Sequence, residues 1–415
     1  MPVGTHLKHR RILTGVAGVA ALALLVSGCS SASSAASGSS AAATSSAGAT
    51  SSAAGSMSAA GGSSSGVTSS GAAASGAAAQ AAAAKAAVAP FLVAPTKINQ
   101  SVPLTAKIPT DKPWVLITCE LPQCKTISDG AEAAAKAAGI PTKLLSYKTT
   151  DGTTMTSSMK QALTYNPVAV SPIGFTQAVW DSLQPQYRAA KVIITPLSLG
   201  DTAPSDVVTQ GASSQLDYSS GGKTMANYVI ADSSAAAHIL VQDVPAFAVL
   251  KAYGDGFKAQ IKSGCTACTV SDLDIAPAQL STGSLVPAVI AALRKDQSIK
   301  YLVSTDGAFL VGISTALKAA GIDGVKIMGG SPDINNLTAL KNGQQTAWTG
   351  AAENQTGWVA LDIIGRTLNK QAVAPVDGGR VTQVFTQDNV GVPSATGMSA
   401  PADYQAQYLK LWGLS

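Results

Sequence analysis

Five cysteines and three histidines decide most of the chemistry open to this 415-residue chain. His6 and His9 fall within the first ten residues, which leaves His238 alone in the remainder. It opens an apolar run, His238-Ile239-Leu240-Val241, and reads as a structural residue. Its isolation at the start of a strand pattern argues against Ser-His-Asp and Cys-His arrangements and against His-rich metal sites. The cysteines offer more. Cys119 and Cys124 bracket Glu120-Leu121-Pro122-Gln123 directly after the apolar run 114–118, and Cys265-Thr266-Ala267-Cys268 has the spacing of a redox pair. A four-thiolate zinc site would need all of these sulfurs together. Yet one pair follows a strand pattern, and the other lies between a helix pattern and the next strand, at the opposite edge of an α/β sheet. A thiol oxidoreductase needs its cysteines at a helix N-terminus, where the dipole lowers the thiol pKa, whereas Cys265 follows a helix pattern. Two local disulfides in an oxidising compartment, Cys119–Cys124 and Cys265–Cys268, are the plain reading, with oxidoreductase chemistry as a remote alternative.

Phosphate chemistry is suggested and then withdrawn. Gly221-Gly222-Lys223-Thr224 ends like a phosphate loop, but Asp217 stands where the first glycine is required and no strand precedes it. Gly254-Asp255-Gly256-Phe257-Lys258-Ala259 fits a dinucleotide pattern but lies inside a helix pattern. No catalytic set, metal or cofactor is expected.

The elements that would position these residues begin well into the chain. Lys8, Arg10 and Arg11 precede an apolar run over 12–26, and Val26-Ser27-Gly28-Cys29 resembles a bacterial lipoprotein signal. Residues 1–28 are therefore expected to be removed and Cys29 to carry lipid, placing the protein on the extracytoplasmic face of the cell membrane. Removal takes three of the 28 basic residues and none of the 23 acidic ones, leaving a net charge of +2. That balance says nothing in favour of nucleic acid. Residues 29–112 are expected to be a Ser/Ala/Gly tether with a proline-containing lead-in, because such a composition buries too little apolar surface to offset its ordering entropy. Residues 77–89 could be transiently helical.

From 113 onward the pattern alternates. Strands are expected at 114–118, 143–147, 168–171, 192–195, 238–241, 269–272, 301–304, 325–328 and 346–349. Helices are expected at 125–138, 153–164, 176–189, 217–231, 246–263, 281–296, 308–320, 333–342 and 354–369. Continuous apolar strands between amphipathic helices indicate parallel sheet covered on both faces, an α/β fold.

Several stretches then resemble the type I periplasmic binding proteins, in particular the ribose- and galactose-type branch serving ABC importers. Ser128-Asp129-Gly130-Ala131 with Ala135-Lys136 is similar to that family's first helix, and Val168-Ala169-Val170-Ser171-Pro172 to a strand end. Tyr253-Gly254-Asp255-Gly256-Phe257, Ser304-Thr305-Asp306-Gly307-Ala308 and Ile327-Met328-Gly329-Gly330-Ser331-Pro332-Asp333 follow in the family's order. The resemblance implies two doubly wound parallel-sheet lobes joined by a three-segment hinge, the first built from 113–210 plus 352–384 and the second from 211–351 plus 385–415. The crossings are expected near Gln210-Gly211, near 351–354 and near Phe385.

It also implies a solute held between the lobes and delivered to a permease by a monomeric receptor. A sensory role at a membrane receptor is the alternative. Carried over by position, the family's stacking pair falls on Gln123 and Cys124, after Glu120. Its gripping arginine falls on Lys251, its turn asparagine on Thr305 beside Asp306, and its strand-end aspartate on Ser331 near Asp333. The hinge glutamine falls on Ala351, near Asn354. These replacements are mostly small and neutral. A less hydroxylated or partly apolar solute is expected, with Phe175, Phe247 or Trp348 as stacking surfaces.

Overall fold

In the computed structural model, the residues described are 68–120, 122–200, 202–276, 279–280, 282–373, 379–393 and 401–414. The elements run α1 (Thr68–Val88), β1 (Trp114–Thr118), α2 (Pro122–Ala137), β2 (Thr142–Ser146), α3 (Gly152–Leu163), β3 (Ala169–Pro172), α4 (Gln184–Ala190) and β4 (Ile193–Ile194). They continue through α5 (Gln215–Asp232), β5 (His238–Asp243), α6 (Ala248–Gly264), β6 (Thr269–Asp274), α7 (Leu285–Lys295), β7 (Tyr301–Ser304) and α8 (Ile313–Ala319). The last are β8 (Lys326–Gly330), α9 (Ile334–Lys341), β9 (Ala347–Gly350), α10 (Gln355–Leu368), β10 (Gln383–Thr386) and α11 (Tyr404–Leu411).

Two sheets result. The first, in the order β2-β1-β3-β4, is parallel throughout, with Trp114 paired to Thr142 on one side and to Ala169 on the other. The second has the order β10-β9-β8-β7-β5-β6 and is parallel except for β10, which runs antiparallel to β9. Both central strands are apolar because helices cover both faces: Trp114, Val115, Leu116 and Ile117 are fully buried, as are Leu302 and Val303. The two rejected phosphate motifs turn out to be two sides of one helix–helix contact. A Cβ on Gly222 of α5 would lie 2.1 Å from the Tyr253 carbonyl of α6, and one on Gly256 would lie 2.3 Å from the Ser219 carbonyl. The glycines let the two backbones touch.

The structure departs from the sequence reading at several places. Residues 68–88 are a helix, and it is docked rather than a free tether. Its stripe Ala77, Ala81, Ala84, Val88 packs on the second lobe's core beside α5, with Ala84 and Val88 buried. In proteins most helical stability comes from tertiary packing rather than propensity, and the contact with α5 supplies it here. The helix expected over 176–189 is two single 3₁₀ turns and the short α4, because Pro185 lacks an N–H and forces a new helix start. The helix expected over 308–320 breaks at Gly312, whose φ is +80°. Finally, Phe385 is not at a crossing but inside β10, and residues 401–414 do not belong to the second lobe. Tyr404, Tyr408, Leu411 and Trp412 of the α11 region pack in the core of the first.

Candidate functional site

The start of α5, the residues ahead of α10 and the passage from α10 to β10 converge on one buried guanidinium. Arg380 sits in the passage from α10 to β10. Its Nη1 is 2.9 Å from Glu353 Oε1 and its Nε 3.7 Å from Asp217 Oδ2. Its guanidinium carbon lies 5.7 Å from the centre of the Tyr218 ring. Asp217 and Tyr218 open α5, just after the first crossing, and Glu353 lies in the second. One side chain from the third passage therefore holds the other two.

Local sequence explains each position. Ser214 and Asp217 form a capping box that starts α5, with the Ser214 N–H donating to Asp217 Oδ2 at 3.2 Å. Glu353 is placed because the start of α10 is clamped on α2. A Cβ on Gly130 would meet the Asn354 carbonyl at 2.1 Å, and one on Gly357 would meet the Ala131 nitrogen at 2.2 Å. Burial works against the charge on Arg380, but the Glu353 and Asp217 carboxylates outweigh it and raise its pKa. Burial, reinforced by Glu353, pushes the Tyr218 hydroxyl up to about 12.

Asp306 joins this group from the end of β7. Burial first, then the Glu353 and Asp333 carboxylates, push its pKa up to about 7, against the bond it accepts from the Ala308 N–H at 2.9 Å. Asp243, at the end of β5, is also raised by burial; it accepts from Val244 N–H at 2.7 Å and from the Thr305 hydroxyl at 3.2 Å. Several buried polar atoms at the crossings have no hydrogen-bond partner among the described residues: Glu353 Oε2, Asn354 Oδ1, Arg380 Nε and, at the end of β1, Thr118 Oγ1. Buried polar atoms are normally paired, and such a set marks a place where a polar ligand or ordered water would sit.

The residues singled out by sequence fall in three groups. Thr305, Asp306, Asp333 and Asn354 lie at or beside the cluster. Of these, Asp333 is committed to starting α9, accepting from the Asn335 and Asn336 N–H groups at 2.8 and 2.9 Å. Ser331 (φ +48°) is held through its backbone, its N–H donating to the Thr349 carbonyl at 3.0 Å.

A second group lines the first lobe. Exposed Glu120 accepts from the Thr149 N–H and hydroxyl, bonds that lower its pKa. Gln123 is exposed, and Phe175 packs edge-on to Tyr147 at 5.3 Å. Cys119 and Cys124 are disulfide-bonded, their Cα atoms 5.5 Å apart. The segment is not an open loop, since Cys124 already lies in the first turn of α2.

The third group is turned elsewhere. Lys251 faces outward and pairs with Asp255 one turn on, Phe247 is 44% exposed ahead of α6, and Trp348 is fully buried with its Nε1 donating to Gln345. Trp348 is a core residue and offers no stacking surface. The Cys265–Cys268 disulfide closes the C-terminal end of α6, at the opposite edge of the sheet from this site. Sequence reasoning missed Asp217, Tyr218, Glu353 and Arg380. Glu353 was within reach, two residues from the expected hinge position. Arg380 was not, because nothing local marks where the third passage runs.

Residues 120–372 match the family described as periplasmic binding protein domain. No curated protein matches by sequence. Among solved structures, a sugar-binding protein of a sugar ABC transporter from Bacillus halodurans superposes with a TM-score of 0.58 at 16% identity, covering 68% of this chain and 100% of that one. GanP, a glucose-galactose binding protein from Geobacillus stearothermophilus, gives 0.56 at 15%, covering 68% and 99%. An ABC transporter solute binding protein from Agrobacterium vitis, bound with alpha-D-tagatopyranose, gives 0.55 at 18%, covering 68% and 97%. The family match spans more than half of the chain, and with paired α/β lobes converging on a polar hinge it places this protein in the periplasmic binding protein family of extracytoplasmic solute receptors.

Proposed function

We propose that the protein is a lipid-anchored receptor that holds a small hydroxylated or partly apolar solute between its lobes and passes it, unaltered, to an ABC import permease. The observation that carries this reading is the convergence of Asp217 at the start of α5 and Glu353 ahead of α10 on Arg380, with unpaired buried acceptors on Glu353 and Asn354 beside it. Ligands of open α/β sheets bind outside the carboxyl ends of the strands, where these groups lie. The unpaired carboxylate oxygen of Glu353 and the carboxyl of Asp306 suit the donors of hydroxyl groups. The sugar-binding descriptions of the structural neighbours support the same class of solute. Lipid anchoring rests on Val26-Ser27-Gly28-Cys29, which lies outside the described residues.

The test is a thermal-shift screen with monosaccharides, polyols, amino acids and aromatic acids, followed by titration calorimetry on any hit. A hit is expected among the hydroxylated compounds, with affinity lost at least tenfold in Glu353→Gln. A chain that shifts with none of them, and that carries no co-purified solute in native mass spectrometry, would refute the reading.

A further inference from the structure

The segment ahead of β1 touches both lobes. Its α1 end lies on the second lobe: Ala84 and Val88 are buried there, and Gln80 Oε1 accepts from the Thr266 N–H at 3.2 Å, inside the Cys265–Cys268 loop. Just beyond, the Leu92 carbonyl accepts from Asn389 Nδ2 at 2.7 Å, and Asn389 is itself bound to the Val384 carbonyl of β10. Four residues later the chain belongs to the first lobe. The Thr96 carbonyl accepts from Gln407 Nε2 at 2.9 Å, and the Ile98 N–H donates to Gln407 Oε1 at 3.0 Å. Further along, the Val102 carbonyl accepts from Arg366 and the Leu104 N–H donates to the Leu411 carbonyl. Between these attachments Asn99 Nδ2 donates to the carbonyl of Arg380, the residue that gathers the hinge.

We propose that residues 68–104 are a strap that joins the lobes ahead of β1, apart from the later passages between them, and limits how far they part. Lobe opening itself belongs to the solute-receptor reading, on which this rests. The limit is geometric. From Leu92 to Thr96 there are four Cα steps, so the points held by Asn389 and Gln407 can separate by no more than about 14 Å while both bonds persist. Pro95 within that span narrows the accessible backbone further. Wider opening requires α1 to leave α5 or the lead-in to leave α11.

The experiment uses the full chain without solute. Hydrogen exchange reads the α1 amides, and electron–electron distances are measured between non-cysteine spin labels at exposed Lys136 and Lys262, one on each lobe. Wild-type amides of 78–91 are expected to be protected and the distance distribution narrow. The pair Ala84→Glu and Val88→Glu should speed exchange of those amides by at least about tenfold and extend the distribution to longer distances, while Lys85→Ala on the exposed face changes neither. Should the double variant fold poorly, inserting ten Gly/Ser residues between Val93 and Ala94 leaves α1 docked and lengthens the strap; the same broadening is expected. Coil-like exchange of 78–91 in the wild type, or an unchanged distribution with the lengthened strap, would overturn the proposal. A chain that binds no solute can still give the expected result, so the two readings fail separately.

Discussion

Asp306 has its ordinary carboxylate pKa raised to about 7 by burial and by the Glu353 and Asp333 carboxylates. A carboxyl whose folded pKa lies above its unfolded value binds more protons in the native state. Between about pH 4 and 7 the stability of the fold therefore falls as pH rises, and it levels off above. Asp306→Asn keeps an acceptor for the Ala308 N–H and removes the titration. Urea melts across that window should show a flatter pH dependence in the variant and a higher midpoint at pH 8. An unchanged slope would mean the group titrates elsewhere. Arg380 poses the opposite case. Replacing it with methionine leaves the Asp217 and Glu353 charges buried without a counter-ion, a loss of about 3–5 kcal/mol by analogy with other broken buried pairs. Chemical denaturation should register that loss, and Arg380→Lys, which keeps the charge, should recover part of it.

Helix contacts show how far small residues shape the fold. At Gly222 and Gly256 there is no room for a methyl, since each would overlap a carbonyl oxygen of the facing helix. Gly256→Ala must push α5 and α6 apart, which overpacking costs place at about 1–3 kcal/mol despite alanine's better helix propensity. The measured midpoint should drop; a rise would show that the helices slide freely. The disulfide between Cys119 and Cys124 closes a short loop, so Cys119→Ser with Cys124→Ser should cost only about 2 kcal/mol in the chain-entropy model, read by the same melts.

Across the whole molecule, the first lobe is completed by α11, the last helix among the described residues. Trp412 stacks on Trp358 at 5.5 Å and its Nε1 donates to Asp362, whose carboxylate is paired with the buried Arg366. Arg366 in turn reaches the Val102 carbonyl of the lead-in. One buried ion pair thus ties α10, α11 and the strap together. Trp412→Ala removes a large buried ring and one partner of that pair, with an expected loss of about 3–5 kcal/mol. The loss should appear as faster hydrogen exchange in α10 and in the lead-in, with the sheet of the second lobe left unaffected. Loss spread evenly over both lobes would show that they unfold as one unit.

Much of this was legible in the residues alone. The strand cores Trp114–Thr118 and Tyr301–Ser304 appeared where their apolar runs lie, and the two cysteine pairs bonded locally as their short spacing allows, because both signals are carried within a few residues. What only the tertiary structure decided depends on groups far apart in the chain. Lys251 was expected at the site but is engaged by Asp255, whereas Arg380 is drawn in by Asp217 and Glu353 from other crossings. An alanine-rich segment with no strong helical pattern became α1 because α5 offers it an apolar face, and α11 joined the first lobe because Trp358 does the same. Local propensity cannot foresee such partners: their free energy arises only when distant surfaces meet and exclude water.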